Sequence, residues 1–296
     1  MVEEFCSRDS YVAASFAQAA TWTGLSIPEL YEGKLAGGND TRLSHGQGTV
    51  GRVTQAALVF GIHDSLAARG RQPDAVGGAS LGAMIAACLA GAAERRELFE
   101  LVHHQRLAPP LPPTAPTQGM AVAVLDGRAN RAEYYENRPG VYLSVDHGPV
   151  FDGTRQVLVL AGYLDALEQL AAEAPPEAVR ILPGYSGAFH TPLQQHVVDF
   201  IRPYVTAMTF HPPKLPLCSA ERTGLVSTVE EVRDSFLYNE ITPIAVAPLV
   251  TQLARLGIRY VIELGPGLPR GISLDPMISV RVASPDDLLQ LDKLEA

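Results

Sequence analysis

Apolar positions change their spacing twice along the chain. Up to about residue 107 they recur at helical intervals; from 120 to 182 they fall into short β-type runs; from 184 helical spacing returns and ends in strand-like segments. Residues 3–33 read as a mixed polar and apolar helical stretch, with Ser10 as a cap and Ile27-Pro28-Glu29-Leu30 opening a second helix. Residues 34–51 read as a glycine-rich polar loop containing Gly46-Gln47-Gly48, and 54–68 as a helix carrying Ala57, Leu58, Phe60 and Ile62. A short strand at 75–76 then delivers Gly78-Ala79-Ser80-Leu81-Gly82. Beyond it Leu81, Met84, Ile85, Cys88 and Leu89 mark one apolar face of a 3.6-residue period.

Another helix over 94–107 is closed by five prolines within residues 109–116, a stretch that neither a helix nor a central strand accommodates. Strand texture follows at 121–125, 141–145, 157–160 and 179–182, with a helix over 162–173. This predicts an α/β chain in which a small α+β unit, residues 118–183, interrupts a larger one made of 1–117 and 184–296. Helices are expected over 193–205, 228–236 and 245–256. The mostly apolar run Tyr260-Val261-Ile262-Glu263-Leu264 reads as a buried parallel strand, turning at Gly265-Pro266-Gly267. A strand at 278–282 and an amphipathic tail helix from 285 complete the pattern.

Composition narrows the function classes. The formal charge of −9 argues against nucleic acid as a partner, because a polyanion needs a basic face. Arg69, Arg71, Arg95, Arg96 and Arg202 are the local cations available to an acidic protein. No run reaches the length of a membrane span and the first residues are acidic, which places the chain in the cytoplasm. The three cysteines have no C-x-x-C spacing and read as reduced structural thiols. No metal site is expected: His103 and His104 are adjacent in a helix and face different directions.

The chemistry centres on Ser80. The G-x-S-x-G spacing lifts a serine hydroxyl off a strand end, and the following helix aims its N–H groups and positive dipole end at it. On the pentapeptide alone, a glycine-rich turn with an incidental serine fits equally. A nucleophilic serine needs a base held by a third group. Among eight histidines His190 stands out, in a loop of small residues just before a helix, although a structural histidine fits that position too.

Gly78-Ala79-Ser80-Leu81-Gly82, then Ser186-Gly187-Ala188-Phe189-His190-Thr191-Pro192, then Glu263-Leu264-Gly265-Pro266-Gly267, in that order, resemble the malonyl-CoA:acyl-carrier-protein transacylases and the acyltransferase domains of polyketide synthases. The resemblance implies an α/β-hydrolase-like large domain with a parallel sheet, and an inserted ferredoxin-like small domain. It implies Ser80 as acyl nucleophile, His190 as general base, Asn239 as the residue whose main-chain carbonyl orients His190, and the Leu81 N–H as an oxyanion donor. It implies no bound cofactor: the substrates are phosphopantetheine thioesters, on coenzyme A or on an acyl carrier protein, and the carrier protein is the partner.

The chain also departs from that family. Its members open with an apolar strand and a Gly-Gln-Gly turn that supplies a second oxyanion donor; Gly46-Gln47-Gly48 lies too close to Ser80 and follows no apolar strand, so the expectation is a segment that lies upstream, the alternative being a chain that has lost a central strand and half its oxyanion hole. Ala79 and Ala83 replace a histidine and a glutamate. Malonyl-selective members carry an arginine that grips the free carboxylate, where an ungapped alignment puts Gln105, with Arg106 about 100° further round the helix. Phe189 resembles the malonyl-selective version, whose phenylalanine narrows the pocket. The expectation is an acyltransferase moving a non-malonyl acyl group, aminoacyl groups among them, with malonyl transfer, hydrolytic clearing of acyl carriers and an inactive carrier-docking scaffold as alternatives.

Overall fold

A computed structural model describes residues 2–34, 45–151, 153–268 and 271–293. The chain opens with α1 (Val2–Arg8), α2 (Ser10–Thr23), α3 (Ile27–Glu32) and the long α4 (His45–Ala68). Asp9, rather than Ser10, caps α2, its carboxylate accepting from the Tyr11 and Val12 N–H groups and from Ser65 Oγ of α4. Ser26 and Glu29 form a reciprocal capping box on α3, at the helix start that the sequence predicts. The expected loop over 34–51 is corrected: residues 35–44 lie outside the described residues, and Gly46-Gln47-Gly48 falls in the first turn of α4. Glycine disfavours a helix by up to about 1 kcal/mol per residue. Packing overrides it, since Val50, Val53, Ala56, Ala57 and Phe60 of α4 are all buried in the largest core cluster.

Next come β1 (Val76–Gly78), α5 (Leu81–Leu89) and α6 (Arg95–Gln105). Phe99 of α6 packs against Phe60 and Trp22, and Arg95 lies over the Phe60 ring while gripping Asp64 of α4 through two hydrogen bonds of 2.6 and 2.7 Å. This fixes α6 against α4.

The β-rich stretch contains β2 (Gln118–Asp126), β3 (Val141–Val150), β4 (Arg155–Tyr163), α7 (Leu164–Glu173) and β5 (Val179–Ile181). The strands line up in the order β5-β2-β4-β3, antiparallel throughout, and α7 covers one face with Leu167 and Leu170 against Ala121, Leu158 and Leu160. This is a ferredoxin-like arrangement in which the first helix is reduced to a single 3-10 turn at Arg131–Tyr134.

Then follow α8 (Gln195–Ala207), β6 (Leu217–Ser219), α9 (Val229–Leu237), β7 (Ile244–Ala245), α10 (Val246–Arg255), β8 (Tyr260–Leu264), β9 (Ile278–Val282) and α11 (Pro285–Lys293). The parallel sheet of the larger part takes the form of two parallel pairs among the described residues: β1 with β6, Val76 opposite Leu217, and β8 with β9, Tyr260 opposite Ile278. The β8 strand is half-exposed rather than buried, with Tyr260 67% accessible. Strand β7 adds itself in parallel to β3 through Val145 and Ile244, so the five-stranded sheet takes its last strand from beyond residue 183.

Candidate active site

Ser80 sits where β1 ends and α5 begins. Its backbone holds φ 54 and ψ −128, a region that side-chain-bearing residues rarely enter. The crossing of strand and helix imposes it. A Cβ on Gly78 would lie 2.2 Å from the carbonyl carbon and oxygen of Gly82, so the strand end touches the first helical turn backbone to backbone. A Cβ on Gly82 would meet open space, so of the two glycines only Gly78 is required sterically. Pairing with β6 locks the strand, through Val76 N–H to Pro216 O and Ala220 N–H to Gly78 O. Leu81 heads α5, and the first N–H groups of a helix have no intrahelical acceptor.

His190 also has a positive φ, 60, in the turn before α8. Its N–H donates to Glu240 O at 2.7 Å, and its ring Nδ1 lies 2.9 Å from Asn239 O. A carbonyl can only accept, so Nδ1 carries the hydrogen and Nε2 presents a lone pair. The loop around it is pinned from the other sheet: Gln118, first residue of β2, accepts from Ala188 N–H at 3.0 Å and from Gln194 Nε2 at 2.7 Å, while Thr191 Oγ donates to Ala188 O. Burial holds the His190 imidazole below its ordinary range, against opposing pulls from Glu240 and the Asn239 carbonyl. A ring kept neutral is a ring able to take a proton.

Asn239 joins the two. While its carbonyl receives His190, its side-chain Nδ2 donates to Ser80 O at 3.1 Å and to Glu221 Oε1 at 3.1 Å. Among the described residues no hydrogen bond runs from Ser80 Oγ to the imidazole; the connection is made through the fully buried Asn239. Glu240 completes the surroundings, paired with Arg52 of α4 at 2.7 Å.

The structure therefore brings together Ser80, Leu81, His190 and Asn239. Ala79, beside Ser80, is partly buried among Cys218, Val246 and Leu249, and Phe189, beside His190, packs against Met120 and Ala161 of the five-stranded sheet. Gln105 ends α6 buried, with neither amide oxygen nor nitrogen partnered among the described residues, whereas Arg106 is half-exposed and donates to His103 Nε2 at 3.3 Å. Neither residue is hydrogen-bonded to the Ser80 turn among the described residues. The cations considered for an acidic partner are engaged within the chain: Arg95 with Asp64, Arg96 with Glu100, Arg202 with Asp199, Arg69 with Asp9, and Arg71 with the Leu291 carbonyl. Sequence reasoning missed Glu221, Arg52 and Gln118, none of which belongs to a motif, and gave no role to Glu240, which follows Asn239 directly. Among the described residues no three His, Cys, Asp or Glu side chains converge as metal ligands, and no helix is long and apolar enough to cross a membrane.

No protein-family model matches the sequence. A polyunsaturated fatty acid synthase polypeptide of a Thraustochytrium is 23% identical over 212 residues, which are 71% of this chain and 7% of that protein; the chain thus spans a small fraction of its curated relative. Among solved structures, the malonyl-CoA:acyl-carrier-protein transacylase of Synechocystis superposes with a TM-score of 0.80 at 20% identity, over 98% of this chain and 94% of that one. The MCAT of Streptococcus pneumoniae gives 0.81 at 19% identity, over 99% and 95%. A malonyl transacylase solved in complex with its type II polyketide acyl carrier protein gives 0.78 at 20% identity, over 98% and 93%. The chain has the fold of these transacylases, from end to end.

Proposed function

We propose that this chain is a serine acyltransferase that accepts an acyl group from a thioester and passes it to the phosphopantetheine thiol of an acyl carrier protein. The observation that carries this reading is Asn239, which receives His190 Nδ1–H on its carbonyl and holds the Ser80 carbonyl with its amide. A base with a fixed tautomer and a nucleophile on a strained turn are thereby referred to one residue, the third member that a serine–histidine pair needs. The transacylase fold adds support, since one neighbour of that fold was solved with its carrier protein bound.

In the first half-reaction His190 Nε2 takes the Ser80 hydroxyl proton as Oγ attacks the thioester carbonyl carbon. The oxygen turns anionic against the Leu81 N–H, the C–S bond breaks, and the departing thiolate takes the proton back from His190. In the second half-reaction the carrier thiol gives its proton to His190, attacks the acyl-serine carbonyl, and Ser80 leaves reprotonated. One oxyanion donor is commonly worth about a hundredfold or more in rate.

The acyl group is one without a free carboxylate. Gln105 is neutral and buried, and Arg106 turns to His103, so neither of these two positions offers a guanidinium set to grip a substrate carboxylate. Phe189, which packs against Met120 and Ala161, favours the second reading, malonyl transfer, through its resemblance to the malonyl-selective version.

Intact mass spectrometry separates these readings. The protein is incubated with malonyl-CoA and, separately, with an aminoacyl-loaded carrier protein. The expected result is an adduct from the second donor, absent in Ser80→Ala; Gln105→Arg should raise the malonyl adduct. A malonyl adduct of equal yield on the wild-type chain overturns the preference, and an adduct surviving in Ser80→Ala overturns the nucleophile.

A further inference from the structure

Glu221 lies just beyond β6, and its carboxyl group touches the turn that carries Ser80. Oε1 accepts from Asn239 Nδ2 at 3.1 Å, and the Ser80 main-chain N–H lies near enough to the carboxyl to favour its charged form. Asn239 holds the other side of the same residue, donating to Ser80 O at 3.1 Å. Ser80 is therefore clamped between the two: Asn239 holds its C=O through a hydrogen bond, the Glu221 carboxyl lies beside its N–H, and Asn239 and Glu221 are hydrogen-bonded to each other. A backbone at φ 54 and ψ −128 persists only where its surroundings hold it there.

We propose, resting on the acyl-serine reading above, that Glu221 is a positioning residue of acyl transfer: it secures the strained Ser80 turn and ties it to Asn239, whose carbonyl aims His190. It does so as a neutral acid. Burial, with the neighbouring charge of Glu240 adding to it, pushes the Glu221 carboxyl up to about 8, so that it carries a proton at neutral pH. The charged group acting on it is Glu240, whose counter-ion is Arg52 of α4; His190, kept neutral by burial, sits beside that pair. Arg222, next in the chain, is turned away to Glu231 of α9 at 2.6 Å. A neutral Glu221 keeps negative charge away from the acyl oxygen as that oxygen turns anionic. Ionisation puts a second buried carboxylate beside Glu240 at the nucleophile's own amide, where it opposes the reaction.

The test uses a fluorophosphonate probe, followed by intact mass from about pH 6 to pH 9.5. In this labelling Ser80 Oγ bonds to phosphorus, the P–F bond breaks, fluoride leaves, and the hydroxyl proton passes to His190 and then to solvent. The wild-type rate should fall as pH rises through about 8. Glu221→Gln should lose that alkaline fall while keeping neutral-pH labelling within about threefold, and Glu221→Ala should label about tenfold or more slowly at neutral pH, as misplaced groups do. Thermal melts accompany each variant. A merely structural Glu221 would shift the melt and leave the pH profile alone; if Glu221→Ala melts too low to assay, the Glu221→Gln profile decides. An alkaline fall retained in Glu221→Gln, or wild-type labelling in Glu221→Ala, overturns the proposal by itself. A wild-type chain never labelled at Ser80 overturns the acyl-serine reading, and Glu221's role with it.

Discussion

The conformation of Ser80 makes a stability prediction that is independent of catalysis. Its φ of 54 with ψ −128 suits glycine, because only an absent Cβ relieves the contact with the neighbouring carbonyl. Holding an L-residue in such a region costs about 1–3 kcal/mol. Ser80→Gly removes that cost but adds unfolded-state freedom worth about 0.4–1 kcal/mol. Ser80→Ala keeps the strain and loses only the hydroxyl. Glycine should therefore be the more stable of these two variants, by about 0.5–2 kcal/mol after the entropy is subtracted. Clamping by Glu221 and Asn239 acts on main-chain atoms and survives in both. Urea denaturation of the two proteins, with slopes held equal, reads the difference as a shift in midpoint. Neither should form an acyl adduct. A glycine variant equal to or less stable than the alanine variant would refute the claim that the Ser80 turn is strained.

Gly78→Ala should destabilise by about 3 kcal/mol, because its Cβ meets Gly82 backbone that cannot move aside cheaply, while Gly82→Ala, facing open space, should change stability by about 0.5 kcal/mol or less; chemical denaturation of the pair checks the contrast. His190 is held below its ordinary range by burial, so acyl-serine formation should persist as pH falls past the free imidazole value of about 6.5, with its half-point lower. The sign for stability follows from the same burial. The folded chain prefers neutral His190, so this contribution is complete above the unfolded value and is lost as pH falls through the folded one, which denaturation midpoints from about pH 7 down to pH 5 would show.

The parts legible in the sequence were those whose signals are local. The Ser80 turn announces itself because its glycine, its serine and the apolar stripe of α5 lie within a few residues. The antiparallel strands β2, β3 and β4 are long enough to show their texture. Strands β6 and β7 are not: three and two residues cannot establish a period, and both exist only because a distant strand pairs with them. The start of α4 was hidden by its glycines, whose propensity is outweighed by the burial of Val50 and Val53 just after them. At the site, Ser80, His190 and Asn239 came from motifs. Glu221, Arg52 and Gln118 did not, and Glu240 gained no role, because their place depends on chain separations such as 188 residues between Arg52 and Glu240. A buried ion pair of that kind leaves no periodic trace. Gln105 and Arg106 show the converse: the alignment placed them, and only the fold showed one buried and the other turned aside.

Strand β1 pairs with β6, Val76 with Leu217, and both clamps on Ser80 belong to still later residues, Glu221 and Asn239. A ribosome thus delivers Ser80 long before anything that can bend its backbone. Until residue 239 has emerged and β6 has docked, Ser80 is an ordinary serine on a relaxed chain, with no base and no imposed turn. Such distant pairing is slow to form, so the strained turn appears only after residue 239 has joined the fold, and a chain halted before that point carries a relaxed serine.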